Sequence, residues 1–325
     1  MTQVIPGEFK GPAFKKGHKV TSGDLCRLMR MGKNNLYVLD LKDDQVHEDD
    51  AVMELASVLS GPGVTFSGAP REGKLELRAE YPGLFKVDFE ALTEFNMIQD
   101  VMCASIHNNS PVEKNNSLAA TRAIPLVIQK NDLETAVKFA RQHYPIFSVK
   151  LFNPAKVRLI ITGNEVYKGL IKDKFQAIVE KKTTALGATL EEVVILPDDH
   201  EMISKQIKTY LEKDTDIIIT TGGMSVDPDD VTKAGIEDSG FEETFYSAAV
   251  LPGAMFLLGY HKNTAIMGLP ACGLYHKTTI FDLILPRLMA GEKPVQRDLA
   301  KLCHGGLCLN CDPCRFPVCP FGKSG

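Results

Sequence analysis

Residues 216–232 read DIIITTGGMSVDPDDVT, and the fold of the second half of the chain is inferred from this stretch. Three consecutive isoleucines, Ile217 to Ile219, are typical of a strand that is buried on both faces, as in a parallel sheet covered by helices. The run ends in a Gly-Gly turn and then in polar and acidic residues that open a helix. Because ligands of open parallel sheets bind at the carboxyl ends of the strands, this turn is the first candidate for a binding site.

Segments with strand and helix character alternate on both sides of this stretch. Strands are predicted at 157–162, 193–196, 216–221 and 264–269, and helices at 171–186, 200–211, 229–239 and 276–288. This alternation predicts an α/β fold, in which a doubly wound, three-layer and mainly parallel sheet is covered by helices on both faces.

The first half of the chain has a different character. Gly and Pro separate short β-prone runs, which predict strands at 36–41, 73–80, 84–87 and 124–128. Helical patterns occur at 48–59 and 133–142. We therefore expect three parts: a β-rich α+β domain over residues 1–153, the α/β domain over 154–294 and a cysteine-rich tail over 295–325.

Composition excludes several classes of protein. Lys and Arg number 37 against 41 Asp and Glu, Trp is absent and aromatic residues make up 7%, so neither a basic field nor a base-stacking surface for nucleic acid is expected. The longest mostly apolar run, 248–260, is interrupted by Pro252 and Gly253 and is too short to span a bilayer. Residues 1–17 lack the apolar core of a secretory signal. The expectation is a cytoplasmic protein without nucleic-acid or membrane partners.

The turn after the isoleucine strand has the residue types of a phosphate site. Gly222 and Gly223 allow positive φ and a close backbone approach to a ligand, and amides at a helix N-terminus attract anions. The hydroxyls of Thr221 and Ser225 add hydrogen-bond donors. Three nearby acids would by themselves repel phosphate: Asp227, Asp229 and Asp230.

A divalent cation would resolve this conflict of charges. Carboxylates and ligand oxygens are the groups that hold Mg²⁺, and Asp173, in the neighbouring strand-end loop, is placed to complete such a site. The alternative is that Asp229 or Asp230 caps the helix. The residues themselves predict a pocket for a phosphate-bearing ligand with help from a metal.

Residues 221–231 resemble the pterin-binding signature of the molybdopterin-binding domain, which occurs in molybdopterin adenylyltransferases, in molybdopterin molybdotransferases and in gephyrin. Three further motifs resemble the molybdotransferases in the same order. They are residues 162–166 with Gly169 and 171–173, the turn Pro252-Gly253, and Gly268-Leu269-Pro270. Pro270 is followed by Ala271-Cys272-Gly273 where the molybdotransferases have Gly-Asn-Pro. The resemblance covers about residues 156–292.

The resemblance implies a fold that binds molybdopterin, or its adenylylated form, in the strand-end loops together with Mg²⁺ and molybdate. By position, Asp173 and Asp230 match acids that handle metal or molybdate, which makes them candidate catalytic residues and metal ligands. The candidate cofactor-binding residues are Thr162, Gly163, Asn164, Glu165, Thr221, Gly222, Gly223, Met224, Ser225, Asp227, Pro252, Gly253 and Pro270.

Three functions follow from the resemblance and stay open. The first is a molybdotransferase-like enzyme of molybdenum cofactor biosynthesis, which inserts molybdate into the pterin. The second is a non-catalytic carrier or chaperone that hands the cofactor to a molybdoenzyme. The third is molybdopterin adenylyl transfer. Since the family usually forms dimers or trimers, a homo-oligomer is expected.

Cysteines are concentrated in the tail, which holds five of the eight in the chain. The five cysteines are separated by four, two, two and four residues in turn. In a cytosolic protein this spacing favours metal ligation over disulfides, and the C-x2-C pairs suit a tetrahedral site. A structural Zn²⁺ and an Fe–S cluster are both open, handling of sulfur or molybdenum is a third option, and a reduced, flexible tail is the alternative to metal binding. The candidate ligands are Cys303, Cys308, Cys311, Cys314 and Cys319.

Overall fold

A computed structural model describes residues 2–5, 9–14, 20–33, 35, 41–224, 231–241 and 243–323. The backbone separates into two compact units, residues 1–43 and residues 44–325, which are described one at a time. The predicted domain limits at 153 and 294 stay a prediction. Of the predicted strand at 36–41, only residue 41 lies within the described residues.

The first unit contains a hairpin and a short helix. Strands β1 (Thr2–Ile5) and β2 (Phe9–Pro12) pair in antiparallel fashion. A 3-10 turn, Ser22–Asp24, leads into helix α1 (Leu25–Arg30). The turn is capped because the Asp24 carboxylate accepts hydrogen bonds from the backbone amide and the hydroxyl of Thr21, each at 2.9 Å.

The second unit begins with three small antiparallel sheets and three helices, which agrees with the expected β-rich α+β region. The sheets have the strand orders β4-β5-β9-β7, β11-β6-β8 and β10-β3. One apolar core, centred on Leu55, Leu77 and Phe147, joins the helices to the sheets. The elements are β3 (Gln45–His47), α2 (Glu48–Leu59), β4 (Val64–Phe66), β5 (Lys74–Ala79), β6 (Gly83–Val87), α3 (Phe89–Phe95), β7 (Val101–Ser105), β8 (Ser110–Val112), β9 (Ser117–Ala123), β10 (Val127–Gln129), α4 (Lys130–Gln142) and β11 (Phe147–Lys150).

The rest of the second unit is built on a six-stranded sheet with the order β13-β12-β14-β17-β16-β15. The first four strands in this order are parallel to one another. Strand β16 is antiparallel to its neighbours β17 and β15, so β15 runs in the same direction as the first four. The elements are β12 (Lys156–Thr162), α5 (Asn164–Tyr167), α6 (Phe175–Thr184), β13 (Thr189–Leu196), α7 (His200–Leu211), β14 (Ile217–Thr221), α8 (Thr232–Glu237), β15 (Glu243–Tyr246), β16 (Leu257–His261), β17 (Thr264–Leu269), α9 (Ile280–Met289) and α10 (Gln296–Lys301).

Alternate residues of the central strand face opposite layers. Ile217 and Ile219 pack with α6 and α9 on one face of the sheet, whereas Ile218 packs with α7 and α8 on the other. All three side chains are buried, with at most 3% of their surface exposed. The α/β fold with a three-layer, mainly parallel sheet is therefore confirmed. The antiparallel β15–β16 hairpin at its edge was not predicted.

Several helices begin later than the sequence pattern suggests. Helix α6 begins at Phe175 instead of residue 171, because the Asp173 carboxylate caps its first turn. Helix α9 begins at Ile280 instead of residue 276, after the cap Thr279. The tail also contains a helix, α10, which its sequence pattern did not indicate.

Candidate functional site

A cavity of about 410 Å³ opens beyond the carboxyl ends of β14 and β17. We call it the ligand cavity. Three segments that are far apart in the chain meet here, and each carries one of the motifs found in the sequence: the Gly-Gly turn, the Pro252-Gly253 turn and the segment after β17. The lining residues are Gly222, Gly223, Met224, Leu251, Pro252, Gly253, Ala254, Met255, Pro270, Ala271 and Cys272.

The Gly-Gly turn requires glycine at both positions. Gly222 has φ 88°, and a Cβ atom there would lie 2.4 Å from the carbonyl oxygen of Thr162. Gly223 has φ 56°, and its Cβ would lie 2.4 Å from Oγ1 of Thr232. Side chains rarely adopt such φ values, and no side chain fits at these distances. The turn therefore lies directly on β12 and on the start of α8.

A chain of hydroxyl groups fixes the strand ends beneath the turn. Thr162 Oγ1 donates to the carbonyl oxygen of Thr221 at 3.0 Å and lies 2.9 Å from Thr232 Oγ1. A hydroxyl has a single proton, so Thr232 donates to Thr162. The Thr221 hydroxyl is buried and has no hydrogen-bond partner within the described part of the chain. Thr162 and Thr221 thus lie under the ligand cavity, and neither belongs to its lining.

Met224 anchors the other end of the turn. Its side chain is 3% exposed and lies close to Gly268 of β17. Its carbonyl oxygen accepts a hydrogen bond from the Tyr246 hydroxyl at 2.8 Å. The edge hairpin, through Tyr246, therefore holds the point at which the signature loop leaves the sheet.

The Pro252-Gly253 turn forms the opposite wall of the ligand cavity. Gly253 has φ 126°, and a Cβ atom there would lie 2.5 Å from Cγ2 of Ile280. The Ile280 amide donates to the carbonyl oxygen of Pro252 at 3.4 Å, so the wall is attached to the start of α9. Leu251, Ala254 and Met255 also line the cavity, although no motif includes them. Their position beside the Pro-Gly turn was the only signal in the sequence.

The loop after β12 lies beside the ligand cavity and does not line it. Asn164 and Glu165 are exposed on the short helix α5 and, with Gly163, lie outside the lining of the ligand cavity. The backbone amide of Asn164 donates a hydrogen bond to Oδ2 of Asp198 at 2.8 Å. The structure therefore brings three of the four motifs to one cavity and places this one beside it.

The Asp173 carboxylate is hydrogen-bonded to the helix that follows it. Its Oδ1 accepts from the Phe175 amide and its Oδ2 accepts from the Gln176 amide, each at 2.9 Å. The Phe175 ring lies 3.4 Å from where a Cβ atom of Gly273 would be, so α6 adjoins the segment that carries Cys272. Ser225, Asp227 and Asp230 lie outside the described residues.

Cys272 is the titratable side chain in the lining. It is half-buried, and this burial raises the pKa of its thiol. The thiol therefore stays protonated at neutral pH.

Within the part of the chain that the structure describes, no group of three or more His, Cys, Asp or Glu side chains lies close enough together to hold a metal ion. Four tail cysteines nevertheless line one small cavity: Cys308, Cys311, Cys314 and Cys319. Cys303 does not line it. No helix in the described part of the chain is long and apolar enough to cross a membrane.

Comparison with known families agrees with this geometry. Residues 158–290 match the family described as "Probable molybdopterin binding domain". The match contains all three motif segments that meet at the ligand cavity. Residues 1–40 match a separate domain of unknown function, DUF8806.

Relatives of the molybdopterin-binding domain carry different names. A molybdopterin molybdenumtransferase of Haemophilus influenzae is 29% identical over 157 residues, which cover 46% of this chain and 38% of that protein. A CinA-like protein of Thermosipho melanesiensis is 32% identical over 89 residues, which cover 27% of this chain and 22% of that protein. The match thus spans less than two fifths of either relative.

Among solved structures, the molybdopterin biosynthesis enzyme MoaB of Thermus thermophilus is 18% identical to this chain. It aligns with a TM-score of 0.37 over 42% of this chain and 98% of its own. The fold assignment rests on the strand order described above.

Proposed function

We propose that the ligand cavity binds molybdopterin, or its adenylylated form, and that the protein is a molybdotransferase-like enzyme of molybdenum cofactor biosynthesis. The observation that carries the proposal is the convergence of three separate motif segments on one cavity. The family match over residues 158–290 supports pterin as the ligand. The molybdenumtransferase relatives support insertion of molybdate as the reaction.

The shape and chemistry of the cavity support a pterin phosphate. Its volume of about 410 Å³ lies within the usual range of about 300–1,000 Å³ for small-molecule sites. Backbone amides of the Gly-Gly turn can bind an anion, and neither glycine has a side chain that would block its approach. Met224, Met255 and Pro270 supply an apolar surface against which a flat ring packs.

Insertion itself needs the dithiolene sulfurs and molybdate in contact. Two molybdenum–sulfur bonds form, and one molybdate oxygen leaves as water with the two thiol protons. The acids proposed to position these groups are Asp173 and Asp230. Each Asp173 oxygen accepts one amide hydrogen bond and keeps a further lone pair, so the residue fits a Mg²⁺ ligand. Mg²⁺ would neutralise the phosphate and the molybdate charge.

A specific observation favours the carrier as the second candidate. Among the lining residues that the structure describes, none is Asp, Glu, Lys, Arg or His. Such a lining holds a ligand without supplying acid or base chemistry. Under this alternative the protein delivers the cofactor to a molybdoenzyme unchanged.

The test starts with the full chain purified and analysed by mass spectrometry for bound pterin. Insertion is then followed with molybdopterin, molybdate and Mg²⁺ for the wild type, Asp173→Asn and Asp230→Asn. Asp214→Asn is the matched control, because Asp214 precedes β14 and so lies at the other end of the parallel strands.

The outcomes separate the candidates. Lost insertion with retained pterin binding in the two site variants, and unchanged insertion in the control, supports the transferase. Delivery of cofactor that does not depend on either acid supports the carrier. Release of pyrophosphate from ATP instead would identify adenylyl transfer. A purified protein that binds no pterin contradicts the proposal.

A further inference from the structure

The tail carries a group of thiols that the proposed reaction does not use. We call the four cysteines that share a cavity the thiol cluster: Cys308, Cys311, Cys314 and Cys319. We propose that the thiol cluster binds one Zn²⁺ ion, which holds the tail against the wall of the ligand cavity at Leu251. Zinc binding is independent of the function proposed above, whereas its effect on ligand binding rests on that function.

The size of the shared cavity suits a single ion. All four cysteines are free thiols, and the space they line measures about 30 Å³. A space of about 10–15 Å³ already admits one water-sized group, so this cavity accommodates a single ion. Four thiolates around one ion form the tetrahedral arrangement that Zn²⁺ adopts in structural sites. Cys303, outside this cavity, is the spare thiol.

The backbone turns at two of these cysteines point amides at sulfur. The Asn310 amide donates to Sγ of Cys308 at 3.5 Å, and Asn310 adopts φ 51°, which tightens the turn between Cys308 and Cys311. The Phe316 amide hydrogen-bonds Cys314 with the same two-residue offset. Such bonds stabilise a thiolate, which is the form that binds metal.

Cys314 has a side-chain neighbour in the segment before α9. The Thr278 hydroxyl lies 3.4 Å from its sulfur, so this hydroxyl can donate a hydrogen bond to a metal-bound thiolate.

Positive side chains lie near the thiol cluster. Arg315 lines its cavity, and Lys277 precedes Thr278, the neighbour of Cys314. Lys323 and Cys319 line one adjacent cavity. Lys323 forms no ion pair with any carboxylate in the described ranges, and its Nζ donates to Ser110 Oγ at 2.7 Å. Four thiolates with one Zn²⁺ carry a net charge of −2, which would balance these cations.

The sulfurs do not yet converge on one point. Each cysteine sulfur lies at the end of a single rotatable bond and changes its position by rotation between staggered orientations. Binding the ion therefore requires side-chain movement in a backbone arrangement that already places the four residues around one space.

The tail is tied to the ligand cavity by the backbone. Leu251 pairs with the tail as a short parallel bridge to Leu307. Cys308 is the first residue of the thiol cluster. Its backbone amide donates a hydrogen bond to the carbonyl oxygen of Leu251 at 2.8 Å, so it is also bound to the wall of the ligand cavity. Fixing Cys308 by a metal bond would fix the wall one residue before Pro252.

The first experiment is metal analysis of the purified full chain, with zinc, iron and molybdenum measured together. One zinc per chain is expected. Serine substitution at Cys308 or Cys314 should lower the zinc content to below about one tenth of the wild-type value, because a structural site needs all four ligands. Cys303→Ser is the matched control and should retain the metal.

Three results would overturn the proposal: no zinc in the wild type, iron in its place, or a loss of zinc in Cys303→Ser equal to that in the thiol-cluster variants. A second measurement covers variants that fold poorly. Zinc is removed from the wild type with a chelator, and proteolysis is followed by mass spectrometry. New cleavage confined to residues 303–323, reversed by added zinc, is expected, and an unchanged digest contradicts the structural role.

The effect on the ligand cavity is measured on the same samples. Molybdopterin binding to the zinc-free protein should weaken by about tenfold, a change typical of a lost supporting interaction. Zinc binding without any pterin binding would contradict only the proposed function. Pterin binding that is identical with and without zinc would contradict only the link between the tail and the wall.

Discussion

The amide of Leu251 donates a hydrogen bond to the carbonyl oxygen of Gly306 at 2.8 Å. Leu251 lines the ligand cavity, whereas Gly306 belongs to the tail that follows residue 290, the last residue of the family match. A Cβ atom at Gly306 would lie 2.3 Å from the carbonyl oxygen of Ala249, so the two segments are in direct backbone contact. One wall of the cavity is therefore supported by residues that lie outside the family match.

Gly222→Ala is expected to destabilise the protein by more than about 3 kcal/mol, since the added methyl group would meet the backbone of Thr162 at 2.4 Å. Urea denaturation measures the change. Gly169→Ala is the matched control: Gly169 has φ 71° with no atom within 4 Å of the added carbon, so only the backbone strain of about 1–2 kcal/mol applies. Equal losses in the two variants would contradict the packing explanation.

The hydroxyl chain beneath the turn predicts coupling between two threonines. Thr162→Val should cost about 1–2 kcal/mol, because the carbonyl of Thr221 and the hydroxyl of Thr232 each lose a buried partner. Thr232→Val should cost less, since it removes one hydrogen bond of that chain. A double-mutant cycle measured by thermal unfolding should give a coupling energy of about 0.5 kcal/mol or more. Strict additivity would show that the hydroxyls do not interact.

Asp173 combines a structural role with a proposed chemical role, and two substitutions separate them. Asp173→Ala removes both acceptors of the α6 amides and should cost about 1 kcal/mol of stability. Asp173→Asn keeps one acceptor and removes the charge, so stability should fall less while molybdate insertion is lost. Unfolding curves and turnover are measured on both variants. Full activity in Asp173→Asn would show that Asp173 acts only as a helix cap.

The lowered pKa of Glu292 predicts that the stability of the protein depends on pH. Burial alone would raise the pKa of its carboxyl, but hydrogen bonds from Lys86 and Arg287 outweigh this and lower it to about 2. A depressed pKa stabilises the fold above the ordinary value of 4.5, and this contribution is lost as the pH falls toward 2. The wild type should therefore lose stability over this window.

Substitution tests the same group. Glu292→Gln should lower the free energy of unfolding at neutral pH by about 3 kcal/mol, because Lys86 loses its carboxylate partner and Arg287 loses one of its two ion pairs, the other being with Asp298. The variant should also show a weaker acid dependence between pH 5 and pH 2. Glu237→Gln is the control, since its ion pair with Lys233 is exposed and should contribute at most about 1 kcal/mol. Parallel pH profiles of Glu292→Gln and the wild type would contradict the assignment.

The sequence was sufficient to predict the layers of the α/β region. Strand β17 has the predicted limits, and β14 and β12 each differ from prediction by one residue, because buried β-branched runs leave little choice of structure. The β15–β16 hairpin was missed. Its first strand has four residues, Glu243–Tyr246, and its second lies in an apolar run that could also have been a buried helix.

The candidate site was predicted in part. The motif turns at Gly222 and Pro252 meet in space as expected, because both lie in loops that leave the same edge of the sheet. The contact between Leu251 and the tail could not be predicted, since a backbone bridge of two residues leaves no periodic pattern in either segment. The cap at Asp173 was also missed, because this acid was assigned to catalysis and metal binding and not to the start of a helix.

The two glycines of the signature loop are required by the protein itself. Gly222 is needed for contact with Thr162 and Gly223 for contact with Thr232, whether or not a ligand is present. A descendant of this chain that lost its ligand would still be selected to keep both glycines in order to fold. Paired glycines in a related sequence therefore indicate only that the turn packs in the same way. The acids that follow the glycines are the better criterion in a search for relatives that keep the activity.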